Sequence, residues 1–94
     1  MKRPPAVVTF HARKKHRLPP VTVTFPDGLY FDGARYYGCI GEDRYPLALQ
    51  RRPRTEGRLD ERNRLVAERE VADALCTREE YARWRALASA RPSA

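Results

Sequence analysis

Apolar and polar residues alternate along residues 21–49, and this stretch organises the prediction for the whole chain. Alternation with a period of two is typical of a β-strand that buries one face. Turn-forming residues interrupt it at Pro26-Asp27-Gly28, at Asp32-Gly33 and, more weakly, at Glu42-Asp43. The pattern therefore predicts four short strands that pair in sequence as antiparallel hairpins.

Pairing the strands across these turns, with Phe25 opposite Leu29 and Ile40 opposite Tyr45, sorts the side chains onto two faces. The apolar face holds Val21, Val23, Phe25, Leu29, Phe31, Tyr36, Ile40, Tyr45, Leu47 and Leu49. The polar face holds Thr22, Thr24, Tyr30, Arg35, Tyr37 and Arg44, with Cys39 and Ala48. Because Pro46 cannot donate a ladder hydrogen bond, we expect the last strand to be an edge or to be bulged there.

Weaker patterns extend this sheet on its N-terminal side. Residues 1–5 are basic and proline-rich, which predicts a flexible arm. Val7–Phe10 predicts a further strand with Val8 and Phe10 facing the core. Residues 13–17 follow as a loop of five consecutive cationic or titratable side chains.

The C-terminal part changes to a helical pattern. Pro53 and Gly57 predict that residues 51–58 form an irregular basic linker. Residues 59–76 predict a helix with a small-residue apolar side. Thr77 and Glu80 form a capping box for a second helix over 78–90, whose apolar stripe contains Tyr81 and Trp84.

Together these elements predict a single α+β domain over residues 1–94. Its parts are the arm (1–5), an antiparallel four- to five-stranded meander (6–50), the linker (51–58) and a helical pair (59–90) packed on the apolar face. A small SH3-like barrel is the alternative arrangement of the strands.

Charge adds a candidate function to this fold. The net charge is +7, and residues 1–58 hold twelve basic and five acidic side chains, so the entire excess lies in the sheet half. An aromatic sheet face framed by cations is suited to nucleic acid, since bases stack on Tyr and Arg binds phosphate. We therefore expect a non-catalytic nucleic-acid-binding accessory or regulatory protein, for DNA or RNA. The candidate binding residues are Arg13, Lys14, Lys15, Arg17, Tyr30, Arg35, Tyr37, Arg44, Arg51, Arg52 and Arg54.

Two other functions fit the same residues. A small protein-binding inhibitor or adaptor, of the kind that phages and mobile elements encode, would use its cations on an acidic protein surface. A structural protein of the ribosome or another nucleoprotein would combine a basic tail with a small fold. Solvated loops and good strand formers would also produce this pattern without any partner.

Enzymatic and cofactor chemistry is not indicated. His11 and His16 are the only histidines, and no nucleophile–base pair accompanies them as a small ribonuclease would require. Cys39 and Cys76 lack metal-type spacing and are expected to be free thiols, so we expect neither cofactor nor metal. No apolar run approaches the ~20 residues of a membrane span, and the N-terminus is not a secretory signal. These features predict a cytoplasmic protein without membrane association.

Part of the chain resembles known small folds. The meander followed by a helix is similar to the small arm-binding domains of phage integrases. Gly33–Ile40, GARYYGCI, resembles a strand of SH3-like or Tudor-like barrels. Each resemblance covers at most half of the chain and implies no functional residue.

Overall fold

The computed structural model describes residues 3–90, which form seven strands and one α-helix. The strands are β1 (Ala6–His11), β2 (Val21–Phe25), β3 (Leu29–Phe31), β4 (Tyr36–Ile40), β5 (Asp43–Leu49), β6 (Arg54–Leu59) and β7 (Leu65–Leu75). The helix is α1 (Arg78–Ala90), and a short 3-10 turn at Lys14–His16 lies between β1 and β2.

The strands form one mixed sheet in the order β2-β1-β7-β5-β4-β3, with β6 paired to β7 beside this path. β1 and β7 run parallel, whereas all the other pairs are antiparallel. β7 is the longest strand, with 11 residues, and pairs with β1, β5 and β6. It therefore joins two parts of the sheet that are distant in sequence.

The sheet is bent so that its two ends approach each other. β2 and β3 are the end strands of the sheet order, yet only Pro26–Gly28 separates them. The Asp27 amide donates to the Cys39 carbonyl at 3.2 Å, and the Cys39 amide donates to the Gly28 carbonyl at 3.0 Å. These bonds tie the turn after β2 to β4 and place the apolar side of the sheet on the inside of the bend.

α1 covers this apolar side with two aromatic residues. Trp84 stacks on Phe10 with ring centroids 4.2 Å apart and meets Phe25 edge-on at 6.0 Å. The Tyr81 hydroxyl donates to the Pro19 carbonyl at 2.8 Å. The predicted helix over 78–90 is confirmed, and so is its capping box. The Thr77 amide donates to Glu80 Oε1 at 2.9 Å, and the Glu80 amide donates to Thr77 Oγ1 at 3.1 Å.

The predicted helix over residues 59–76 is wrong. This segment contains the end of β6, a turn, and the whole of β7. Asp60 organises the turn, because its amide donates to the Arg64 carbonyl at 2.8 Å and its carboxylate accepts the amides of Arg62 and Arg64. Asn63 adopts the left-handed conformation with φ 59°. The Ala, Glu and Arg content favours a helix locally, but pairing with two distant strands outweighs that preference.

The predicted antiparallel meander with two helices is therefore wrong as a fold class: the sheet is mixed and a single helix follows it within the described residues. The 51–58 linker is also shorter than predicted, because β6 begins at Arg54. β2 and β3 do not pair as a hairpin, since β2 pairs with β1 and β3 with β4. Around the third turn, Ile40 faces Asp43 instead of Tyr45.

The division of residues 21–49 into two faces is confirmed in most positions, because these register errors preserve parity. Val23, Phe25, Leu29 and Leu47 are buried as predicted. Two residues depart from the pattern. Phe31 is 51% exposed because β3 is an edge of the sheet order, and Cys39, predicted on the polar face, is buried. Pro46 lies opposite Tyr37 of β4 on one side of β5. On the other side, β5 pairs with β7 only at Ala48 and Leu49, so β5 is an edge at Pro46 and no hydrogen-bond donor is needed from it.

The N-terminal arm lies against the body over its described part. The Pro5 carbonyl accepts the Glu70 amide at 2.9 Å, and Arg3 and Pro4 pass over Gly28. A Cβ at Gly28 would lie 2.8 Å from the Pro4 carbonyl oxygen, so this crossing requires glycine, which also has φ +82°. Residues 1 and 2 of the predicted flexible arm lie outside the described residues.

Candidate nucleic-acid interface

The basic loop between β1 and β2 has a defined backbone. The His16 amide donates to the Arg13 carbonyl at 3.0 Å, and the Arg17 amide donates to the Lys14 carbonyl at 3.1 Å. Arg17 closes the turn in the left-handed conformation with φ 50°. The turn leaves the side chains of Arg13, Lys14, Lys15 and Arg17 exposed. Four cations are thus held at one end of the first strand pair.

A second cluster lies on the polar face of β3, β4 and β5, where parity predicted it. The Arg44 guanidinium carbon is 4.1 Å from the centre of the Tyr30 ring, and Tyr30 and Tyr37 are 6.3 Å apart between ring centres. Arg3 lies 5.2 Å from the same Tyr30 ring and donates to the Leu29 carbonyl at 3.3 Å. The Tyr30 ring therefore has two guanidinium groups within cation–π distance, and both contacts stabilise its position.

The turn beside this cluster is held by Asp32. Its Oδ1 accepts the amides of Ala34 at 2.8 Å and Arg35 at 2.7 Å, and the Tyr37 hydroxyl donates to Oδ2 at 3.2 Å. The bonds from the Arg35 and Ala34 amides hold the pKa of Asp32 below its ordinary value, because they stabilise the carboxylate. The carboxylate thus fixes both the turn and the orientation of Tyr37.

Arg35 is separated from Tyr37 despite their shared predicted face. It lies in the turn before β4 and lines a concavity with Tyr36, Gln50, Arg51 and Arg52. The structure therefore places Arg35 with the basic segment after β5 and leaves Tyr30, Tyr37 and Arg44 as a separate group.

The segment between β5 and β6 carries Arg51 and Arg52 along the edge of β7 that both strands pair with. The Gln50 amide donates to the Asp73 carbonyl at 3.0 Å and anchors this segment to β7. Both arginines also line a second concavity, whose other polar residues include His11, Arg54 and Asp73. His11 Nε2 lies 2.9 Å from Asp73 Oδ1, so the single carboxylate of this concavity is paired with the histidine.

The ion pairs distinguish the predicted cations from one another. Among the described residues, Arg54 pairs with Glu56 at 3.2 Å, and the other arginines in ion pairs are Arg64 and Arg69. Eight of the nine predicted cations thus make no ion pair within residues 3–90, and all eight are exposed. They are Arg13, Lys14, Lys15, Arg17, Arg35, Arg44, Arg51 and Arg52.

The predicted residues do not form one continuous patch. Arg44 lies near the start of β5 and Arg51 lies two residues beyond its end, so an extended chain separates them by roughly 20 Å. The structure assembles three groups: the 13–17 loop, the Tyr30 cluster and the Arg35/Arg51/Arg52 segment. A ligand that contacts both the Tyr30 cluster and the Arg35/Arg51/Arg52 segment must be long.

Sequence reasoning missed Arg3, whose position on Tyr30 depends on the path of the arm over Gly28. The sequence patterns also did not predict the two-stranded arm made by β6 and the first part of β7, although its basic and acidic residues are equal in number. The signal available for that arm was Asn63, a residue that favours turns in the middle of the supposed helix.

The structure and the comparisons add little further chemistry. No group of three or more His, Cys, Asp or Glu side chains within residues 3–90 is arranged to hold a metal ion. In the same residues, no helix has both the length and the apolar character needed to cross a membrane. Comparison with protein-family models, curated proteins and solved structures finds no match for this chain.

Proposed function

We propose that this protein binds nucleic acid without catalysing a reaction on it, as an accessory or regulatory factor. The observation that supports this function best is the set of eight exposed cations that have no acidic partner within the described residues. Unpaired like charges repel one another in the free protein, and a polyanion relieves that repulsion.

The separation of the basic groups favours a polymeric ligand over a small anion. A span of roughly 20 Å corresponds to about six phosphates along one strand of a duplex, at 3.4 Å per phosphate. Arg51 and Arg52 would bind phosphates at one end of this span. Arg44 and Tyr30, at the other end, would meet a sugar or a base, since guanidinium and aromatic groups both stack on bases.

Fluorescence anisotropy with labelled oligonucleotides tests the proposal. Single-stranded DNA, duplex DNA and RNA should each be titrated over a series of salt concentrations, and the oligonucleotide should remain intact afterwards. Two phosphate contacts contribute about 1.4 to 1.8 to the slope of log affinity against log salt. We expect R51A/R52A to reduce the slope by about this amount.

A charge-matched variant separates specific contacts from net charge. Arg78 and Arg85 are exposed on α1 and line a different concavity, beside Leu18. R78A/R85A removes the same two charges and should leave most of the affinity unchanged. The proposal is wrong if the wild-type protein shows no salt-sensitive binding at low ionic strength, or if both double variants weaken binding equally.

A further inference from the structure

The β6–β7 hairpin extends from the body of the sheet as a two-stranded arm. β7 pairs with β1 only from Glu70 onward, because β1 begins at Ala6 opposite that residue. Pro4 and Pro5 precede β1 and cannot donate ladder hydrogen bonds, so the pairing ends there. β6 has β7 as its single partner strand, which leaves the whole of its other edge free within the described residues. Two-stranded ribbons are marginally stable in water on their own.

This arm lacks the positive charge of the remaining chain. Residues 54–70 contain five arginines and five acidic residues, although the whole protein carries +7. Glu56 pairs with both Arg54 at 3.2 Å and Arg69 at 3.4 Å, and Arg64 pairs with Asp60 at 2.9 Å. Three of the five arginines are thus paired within the arm, and a surface without net charge has no net electrostatic attraction for nucleic acid.

One face of the arm exposes apolar side chains around a glycine. Leu59 lies opposite Leu65 in the ladder, and they are 57% and 54% exposed. Leu65 also lies over Gly57, where a Cβ would be 2.5 Å from its Cδ1 atom. The glycine thus makes room for a leucine beside the free edge of β6. Exposed edges that carry apolar residues are the usual sites of strand addition.

We propose that the occupant of this edge is a second copy of the same chain, paired antiparallel through β6 about a two-fold axis. An axis perpendicular to the sheet places one residue opposite its own copy. Centring on Gly57 places Glu56 opposite Arg58 of the second copy and Arg58 opposite Glu56 of the second copy. Each of these two pairs joins opposite charges. It also brings the two copies of Leu65 together on one face, where each covers the other's exposed surface.

Charge disfavours the two adjacent symmetric registers. Centring on Glu56 would place that carboxylate opposite itself and Arg54 opposite Arg58. Centring on Arg58 would place two guanidinium groups opposite each other and Glu56 opposite Asp60. Like charges directly opposite each other in a ladder are destabilising, whereas opposite charges are stabilising. Centring on Thr55 or on Leu59 also pairs opposite charges, but it pairs at most three residues of Arg54–Leu59, whereas centring on Gly57 pairs five. The Gly57 register is therefore the one that combines charge pairing with the longest ladder.

A charge exchange tests the register by sedimentation equilibrium without nucleic acid. We expect the wild-type mass to rise from 10.9 kDa towards twice that value with concentration. R58E places two glutamates opposite each other, and E56R places two arginines opposite each other, so each variant alone should dimerise about tenfold more weakly. An equimolar mixture restores both charge pairs and should recover the association as a heterodimer.

A disulfide variant tests the same pairing if E56R fails to fold. The register places Thr55 opposite Leu59 of the second copy, whereas within one chain these residues are about 13 Å apart along the strand. Oxidised T55C/L59C should therefore form a covalent dimer, because a disulfide needs Cα atoms within about 7 Å. T55C alone should not form it.

The proposal is overturned by any of three results. A wild-type chain that remains at 10.9 kDa up to about 1 mM has no useful self-affinity. A mixture of R58E and E56R that associates no better than either variant excludes the register and indicates pairing through another edge. The third result is that R58E and the wild type are both monomeric and R58E binds the oligonucleotide more weakly. The arm would then contact nucleic acid. These outcomes are independent of whether the basic body binds an oligonucleotide.

Discussion

Gly38 should tolerate no side chain, because the ring of Phe25 occupies the space above it. A Cβ at this position would lie 2.5 Å from Phe25 Cε1 and 2.6 Å from Cδ1 and Cζ. Ordinary carbon contacts are about 3.5 Å, so Gly38→Ala requires the ring to move by about 1 Å. Phe25 is fully buried, with Trp84 at 6.0 Å and Tyr45 at 6.3 Å between ring centres, so the movement must displace other core aromatics.

The expected cost of Gly38→Ala follows from this crowding. Overpacking a well-packed core costs about 1–3 kcal/mol. The lower entropy of the unfolded alanine chain offsets about 0.4–1 kcal/mol of this, as Gly38 is not in the left-handed region. We expect the free energy of unfolding to fall by about 1.3 kcal/mol. For a chain of this size, that corresponds to a decrease in Tm of about 5–10 °C.

Urea denaturation of four variants measures the contact directly. F25L replaces the ring with a smaller, branched side chain. G38A should therefore lower the free energy of unfolding less in the F25L background, with a coupling energy of at least about 0.5 kcal/mol. G33A is the matched control, because no atom lies within 4 Å of its new methyl group and its cost comes from φ +99°. G33A and F25L should be additive. The reasoning is refuted if G38A is as stable as the wild type, or if G38A and F25L are additive too.

Three further predictions concern the ends of the elements. Thr77→Ala should lower the free energy of unfolding by about 1 kcal/mol through loss of the bond to the Glu80 amide, and Thr77→Ser should retain most of it in urea denaturation. Asn63→Gly should be tolerated at φ 59°, whereas Asn63→Val should destabilise the turn of the arm, as Tm measurements would show. The pKa of Asp32 is lowered from 3.8, so its contribution to stability is present above that pH and is lost as the pH falls through the folded-state value. The loss of folded protein below pH 4, followed by circular dichroism, should therefore be less steep for Asp32→Asn than for the wild type. Identical profiles for the two proteins would contradict this.

Local patterns were sufficient where an element depends on its own residues. The capping box before α1 needs only Thr77 and Glu80, and both bonds are present. The face assignment in residues 21–49 survived a wrong third-turn register because strand parity is unaffected by the turn that joins two strands. That parity also grouped Tyr30, Tyr37 and Arg44.

Local patterns failed where partners are distant in sequence. The sequence predicts a helix over β7 because its small apolar residues fit one side of a helix. Burial nevertheless alternates at its C-terminal end, since Ala72, Ala74 and Cys76, the residue after the strand, face the core and the residues between them are exposed. The same alanines fit a helical stripe of small residues, so the pattern could not separate the two structures.

The sequence alone determined the alternation of residues 21–49, the turn chemistry of Asp32 and the start of α1, because each depends on contacts within a few residues. The tertiary structure decided that β7 is a strand, since its parallel register with β1 joins residues about 64 positions apart. It likewise decided that Arg3 meets Tyr30 and that β6 keeps a free edge. A strand obtains its hydrogen bonds from other segments, whereas a helix satisfies most of its own, and this difference separates the two sets.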